Sequence, residues 1–172
     1  ENIPRYYTII AQIMSCWVFF FLFKHKQSTL KIVLYTAVVS CLEVLYLWIS
    51  ESSPAWFWPA NMFILFSIMF LYMKLVIDRP SRTVFYYTTK AFVVAEFIAA
   101  LEWQIAYYYK WHLVFPEWTL GMITILFYGV CLAVLYFWER QWGSESRYID
   151  MSMQEDIIAV AIVVLIFLLS NI

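Results

Sequence analysis

Three glutamates stand inside the apolar runs of this chain, and their type and depth make them the first candidates for chemistry. Glu43, Glu96 and Glu102 each lie within a stretch long enough to cross a bilayer. A carboxylate at the centre of such a helix costs roughly 2.5–3.5 kcal/mol on insertion scales, so it must face a cavity or a partner. Glu96 falls near the middle of its run, while Glu43 and Glu102 fall nearer one interface. Gln12, Asn61 and Gln104 reach comparable depths, and Lys90 is the cation of the fourth run that could reach the interior. Together these groups could take a cationic ligand, carry a proton or bind helices to one another.

Other chemistries find no footing. His25 sits in a basic turn and His112 near a break, and neither has a helical metal partner four residues away. Glu96 and Glu102 alone are too few and too far apart to hold a metal. No Ser, Thr or Cys has a neighbouring base. Three glycines cannot build a phosphate cradle. No catalytic residue, metal or cofactor is therefore expected. Cys16, Cys41 and Cys131 lie in apolar runs and read as small hydrophobes.

The elements that must position the glutamates follow from composition. Of 172 residues 65% are apolar and 13% charged, and mean hydropathy is +0.75. Soluble domains run about 45–50% apolar and about 25% charged, so this chain has too little polar surface for water. A net charge of −1 offers no field for nucleic acid. The expected fold is an all-α, multi-pass membrane protein with six transmembrane helices, near Tyr6–Phe23, Leu30–Ile49, Ala60–Ile77, Val84–Tyr109, Trp118–Trp138 and Ile157–Ile172. Charged or proline-bearing breaks separate them, among them Lys24–Ser28, Asp78–Arg82 and the long polar stretch Glu139–Asp156. The runs are too long and too uniformly apolar for barrel strands.

Cations orient the bundle. Lys24, Lys26, Lys31, Lys74, Arg79, Arg82, Lys90, Arg140 and Arg147 fall toward one side, and only Arg5 and Lys110 lie opposite. The rich side is cytoplasmic by the positive-inside rule, which puts the N-terminus outside. On this orientation Glu43 and Glu102 are in the outer half. The missing initiator Met and the short final run predict a piece of a longer chain, and Tyr6–Phe23 lacks the cleavage site of a signal peptide.

A helix-pair repeat is also suggested. Leu30–Ile49 aligns with Thr89–Tyr108 without a gap, matching Lys31 to Lys90 and Leu42-Glu43 to Leu101-Glu102. Parallel repeats about an axis along the membrane normal would give this pattern, and so would chance among Leu-rich helices.

Helical geometry limits how the charges meet. Lys90 to Glu96 and Glu96 to Glu102 are each six residues, about 9 Å of rise and about 120° of rotation. They point in three directions, which predicts a fourth helix enclosed by the others. Ala91, Ala95 and Ala99 form an i, i+4 ladder that lets a neighbour pack closely. Glu96 is then expected to stay neutral or to pair with a polar group on another helix. Two readings of the glutamates stand side by side: packing groups, or an outward-opening, amide-lined pocket built from Glu43, Glu96, Glu102, Gln104, Asn61 and Gln12.

The segment Lys90-Ala91-Phe92-Val93-Val94-Ala95-Glu96-Phe97-Ile98-Ala99-Ala100-Leu101-Glu102-Trp103-Gln104 resembles one common in the membrane domains of GHKL-type sensor histidine kinases of Firmicutes, related in design to accessory gene regulator receptors. Phe167–Ile172 resembles the sixth helix of the same group. The group usually has Arg where Lys90 stands and Ser where Ala100 stands. The resemblance implies that residues 1–172 form a six-helix sensor domain, followed in the parent chain by a seventh helix and a cytoplasmic kinase half. It implies a bacterial cytoplasmic membrane, a homodimer, an extracellular small-molecule or peptide signal, and a response regulator reached through the kinase half. The phosphoacceptor His and glycine boxes are not in this segment, so it is not expected to be an enzyme by itself. The other reading is a small transporter or substrate-binding membrane subunit with the glutamates as proton or cation sites.

Overall fold

A computed structural model describes residues 6–50, 54, 57–112, 117–142 and 161. Among these the named elements are all helices, in the order α1 (Tyr6–Leu22), α2 (Thr29–Ile49), α3 (Trp58–Val76), α4 (Ser81–His112) and α5 (Glu117–Trp142). Each helix coincides with an apolar run of the sequence, within a few residues at either end. The sixth expected span lies outside the described residues apart from Ala161, and so does most of the polar stretch before it.

Four segments, Thr29–Ile49, Pro59–Val76, Ser81–Ile105 and Gly121–Gln141, are long and apolar enough to cross a membrane. Burial explains how they would sit there. On α2 the buried residues form a narrow stripe, Ile32, Val39, Glu43 and Leu47. The rest of that helix shows Leu34, Val38, Leu42, Leu45 and Trp48 to the surroundings. On α5, Ile125, Leu126, Val130 and Val134 are likewise exposed. Large apolar side chains on the outside suit hydrocarbon rather than water as the medium.

The helix ends obey local rules. Pro59 stands in the first turn of α3, where its missing N–H costs no hydrogen bond. Pro80 precedes α4, and its carbonyl accepts the first-turn bond from the Val84 N–H at 3.1 Å. At 32 residues α4 is about 48 Å long, more than the ~30 Å of a hydrocarbon core. It extends three residues beyond the expected span at each end. The α5 helix also runs further than expected, through Glu139 and Arg140 to Trp142, because Glu139 has a partner on α4.

The most enclosed helix among those described is α1, not α4. α1 packs against all four others, whereas α4 packs mainly on α1, α3 and α5. The difference lies in side-chain size. Ala11, Ser15 and Cys16 let α1 approach several neighbours, and all three are fully buried. Ala91, Ala95 and Ala99 of α4 are buried as well, and Ala95 and Ala99 share a cluster with Ala11 and Val18 of α1 and with Tyr128 and Leu132 of α5. Aromatic rings fill the half of the bundle nearest the cation-rich turns: Phe19 meets Tyr87 at 5.2 Å and Phe20 meets Tyr72 edge-on at 5.1 Å.

Two turns are joined at that end. His25 and Ile77 form an antiparallel bridge, with the Lys26 N–H donating to the Val76 carbonyl at 2.8 Å and the Asp78 N–H to the Lys24 carbonyl at 3.1 Å. The α1–α2 and α3–α4 turns, both rich in cations, are therefore fixed to each other. Lys26 and Asp78 also approach to 4.0 Å, but both are exposed and such a pair contributes little. The backbone bonds hold the turns. A reporter active only in the cytoplasm should accordingly work when fused at either turn or within residues 143–156, and fail at Ser52 or His112. The reverse pattern in a fusion series would invert the orientation.

Candidate functional site

Polar side chains inside the bundle occur mostly as pairs that join two helices. Gln12 on α1 donates its amide to Glu96 Oε1 on α4 at 3.0 Å. Thr124 on α5 donates its hydroxyl to Glu102 Oε1 at 3.1 Å. Lys90 on α4 forms an ion pair with Glu139 on α5. Tyr46 on α2 donates to Asn61 Oδ1 on α3 at 2.7 Å. A fifth group joins three helices: Thr36 Oγ1 accepts from the Trp17 indole at 3.3 Å and lies 2.6 Å from the Tyr72 hydroxyl. In an apolar medium each bond is protected from competing water, so each fixes the rotation of two helices.

The three charges of α4 were expected in three directions, but only Glu96 turns to a different helix from the other two. Glu96 meets α1, whereas Lys90 and Glu102 meet α5 at two levels. Lys90 also lies over two aromatic rings, 5.4 Å from the centre of Tyr86 and 6.0 Å from that of Tyr87. The rings add cation–π attraction where the ammonium leaves water. Lys90 does not simply snorkel to the interface.

Among the described residues, the six residues expected to line one pocket go to several separate partners. Gln12 and Glu96 are brought together, and Asn61 is on Tyr46 instead. Glu102 is 2% exposed and faces Thr124, and Gln104 is exposed on α4. Glu43 is fully buried, with no hydrogen-bond partner for either carboxylate oxygen among the described residues. It faces α1 and α3, within electrostatic range of Cys16 and Tyr72. Among the described residues no three His, Cys, Asp or Glu side chains gather to hold a metal ion.

Several participants were not singled out by sequence reasoning. Glu139 reads as the start of a polar stretch, yet it continues the buried stripe of α5 through Tyr128 and Leu132, at helical spacing of four and seven. That periodicity was the available signal. Thr124, Thr36 and Tyr72 carry none, since a hydroxyl in an apolar run gives no sign of which helix it will meet.

No protein-family model, curated protein or solved structure matches the chain.

Proposed function

We propose that the chain is the membrane-embedded sensor module of a two-component histidine kinase, with six spans, the N-terminus outside and a homodimeric assembly. The observation that carries this reading is the use made of α4. The segment Lys90–Gln104, on which the resemblance to GHKL-type kinases rests, places Lys90, Glu96 and Glu102 against three separate partners on α1 and α5. Those few polar contacts set the rotation and depth of α4. A signal with different affinity for two arrangements of such a helix would shift their populations, which is all that transmembrane signalling requires. The signal is an extracellular or membrane-partitioned small molecule or peptide, and the output is phosphoryl transfer to a response regulator by a cytoplasmic half.

The natural gene product containing these residues, in membrane vesicles supplied with radiolabelled ATP, should acquire acid-labile phosphate of the phosphohistidine type. Absence of labelling in inside-out vesicles that hydrolyse or bind no ATP would remove the kinase reading.

A second reading is favoured by Glu43, a buried carboxylate with no partner among the described residues. In a small transporter such a group is a proton or cation site. Reconstituted vesicles should then show substrate or proton flux that Glu43→Gln abolishes, with no ATP-dependent labelling.

A further inference from the structure

The interior polar groups divide into paired and unpaired, and the unpaired ones gather around α1. Neither oxygen of Glu43 meets a donor among the described residues. Gln12 gives its amide to Glu96, but its carbonyl oxygen has no partner there, and Ser15 Oγ is in the same state. All three residues are completely buried. Buried polar atoms without partners are rare in native proteins, and each calls for an explanation such as a bound water or ion.

Register brings Glu43 and Gln12 to one depth. The Trp17–Thr36 hydrogen bond fixes α1 against α2, which runs in the opposite direction. Moving seven residues from Thr36 to Glu43 climbs about 10 Å, and the same climb on α1 ends at Ile10, about 3 Å in depth from Gln12. Seven residues are also nearly two full turns, so Glu43 shares the face of Thr36. That face meets α1 through Trp17 and α3 through Tyr72. No described cation serves it. Lys90 is on Glu139, and Lys24, Lys26, Lys31, Lys74 and Arg79 belong to the far, basic end.

We propose that Glu43 anchors a site for one small alkali cation between α1, α2 and α3, with the Gln12 carbonyl oxygen as a second ligand. Carboxylate and carbonyl oxygens are hard donors that suit hard cations, and the site offers no imidazole for a transition metal. The charge count selects a monovalent ion. Glu96 lies on α4, outside the α1–α2–α3 interface, so the site itself presents one carboxylate, and a divalent guest there would leave net positive charge in an apolar interior. Ser15 Oγ, on the neighbouring face of α1, is available for a bridging water. The inference rests on the second reading of Glu43 and names its ion, and sodium bound without any flux would keep the site while removing the transporter reading.

The test is thermal unfolding of the chain in detergent, in sodium chloride and in choline chloride of equal ionic strength. An ion that binds the folded state raises Tm with saturation as it fills the site. Sodium should raise Tm by several degrees over choline, and the effect should vanish in Glu43→Gln while persisting in Glu102→Gln. Glu43→Leu removes the unpartnered carboxylate, so it should fold, melt higher than the parent in choline and ignore sodium. Equilibrium dialysis against radiolabelled sodium should find the ion bound to the parent and not to either Glu43 variant. A parent that melts alike in both salts and retains no labelled sodium overturns the proposal, leaving Glu43 to a proton or a water. A sodium effect that survives in Glu43→Leu overturns it equally.

Discussion

Lys90→Met should lower stability by about 2–3 kcal/mol, and adding Glu139→Leu should restore most of the loss. Removing one member of a buried ion pair typically costs about 3–5 kcal/mol, because the other charge is left in an apolar site. Glu139 is that other charge, with its side chain 6% exposed. The Lys90 side chain is 35% exposed, which keeps part of the pair in contact with solvent and places the expected cost below the usual range. The complementary single change should be milder. In Glu139→Leu the ammonium retains the faces of Tyr86 and Tyr87 and its access to the interface. The double variant removes both charges together, and well-packed apolar replacements of ion pairs are often neutral. Thermal unfolding in detergent of the parent, both single variants and the double variant closes the cycle. Additive losses would mean that the two side chains do not interact.

The physics that makes this pair important is also what concealed it. Helix existence and approximate length were legible because a bilayer demands about 20 apolar residues per crossing, a signal that survives without tertiary information. The breaks at Lys24–Ser28 and Asp78–Arg82 were legible for the same reason. Their joining through His25 and Ile77 was not, since a two-residue backbone bridge has no side-chain signature. The end of α5 runs past the expected span because charge does not by itself mean exposure. Glu139 is charged and buried, and only its place on the Tyr128–Leu132 stripe distinguishes it from the residues that follow.

The candidate site was legible in its membership more than in its arrangement. Six-residue spacing on α4 was enough to separate Glu96 from Lys90 and from Glu102, since helical rotation is a local property, but it did not show that the latter two meet the same helix. Which helix each would meet depends on the rotations and depths of the neighbours, and these are set by packing. The same limit explains α1. Its Ala11, Ser15 and Cys16 are unremarkable as a sequence, and their role emerges only because α2, α3, α4 and α5 all close on that helix. The alanine ladder of α4 identified one side of a close contact and suggested the wrong helix as the enclosed one.

Glu96→Leu should destabilise the bundle by about 1–3 kcal/mol, whereas Glu96→Gln should leave it nearly unchanged. Gln12 is fully buried, and the bond to Glu96 satisfies its amide, while its carbonyl oxygen meets no donor among the described residues. Leucine at position 96 would leave every polar atom of that side chain unpaired, which is the costly case for a buried group. Glutamine keeps the shape and a carbonyl oxygen that accepts the same amide. Adding Gln12→Leu to Glu96→Leu removes both partners, and the pair should then recover much of the loss, as an apolar replacement of matched shape does. Glu102→Gln belongs in the same series, because its carbonyl can accept from Thr124 as the carboxylate does. The stability of Glu102→Gln should match that of the parent, and its response to signal then tests the proposed sensor role. A changed response to signal in this variant would show that the charge itself takes part in sensing. An unchanged response together with a destabilised Glu96→Leu would make both residues fasteners of α4, one to α1 and the other to α5. Equal stability of Glu96→Leu and Glu96→Gln would sink the argument, because it would mean that Gln12 gains nothing from its partner.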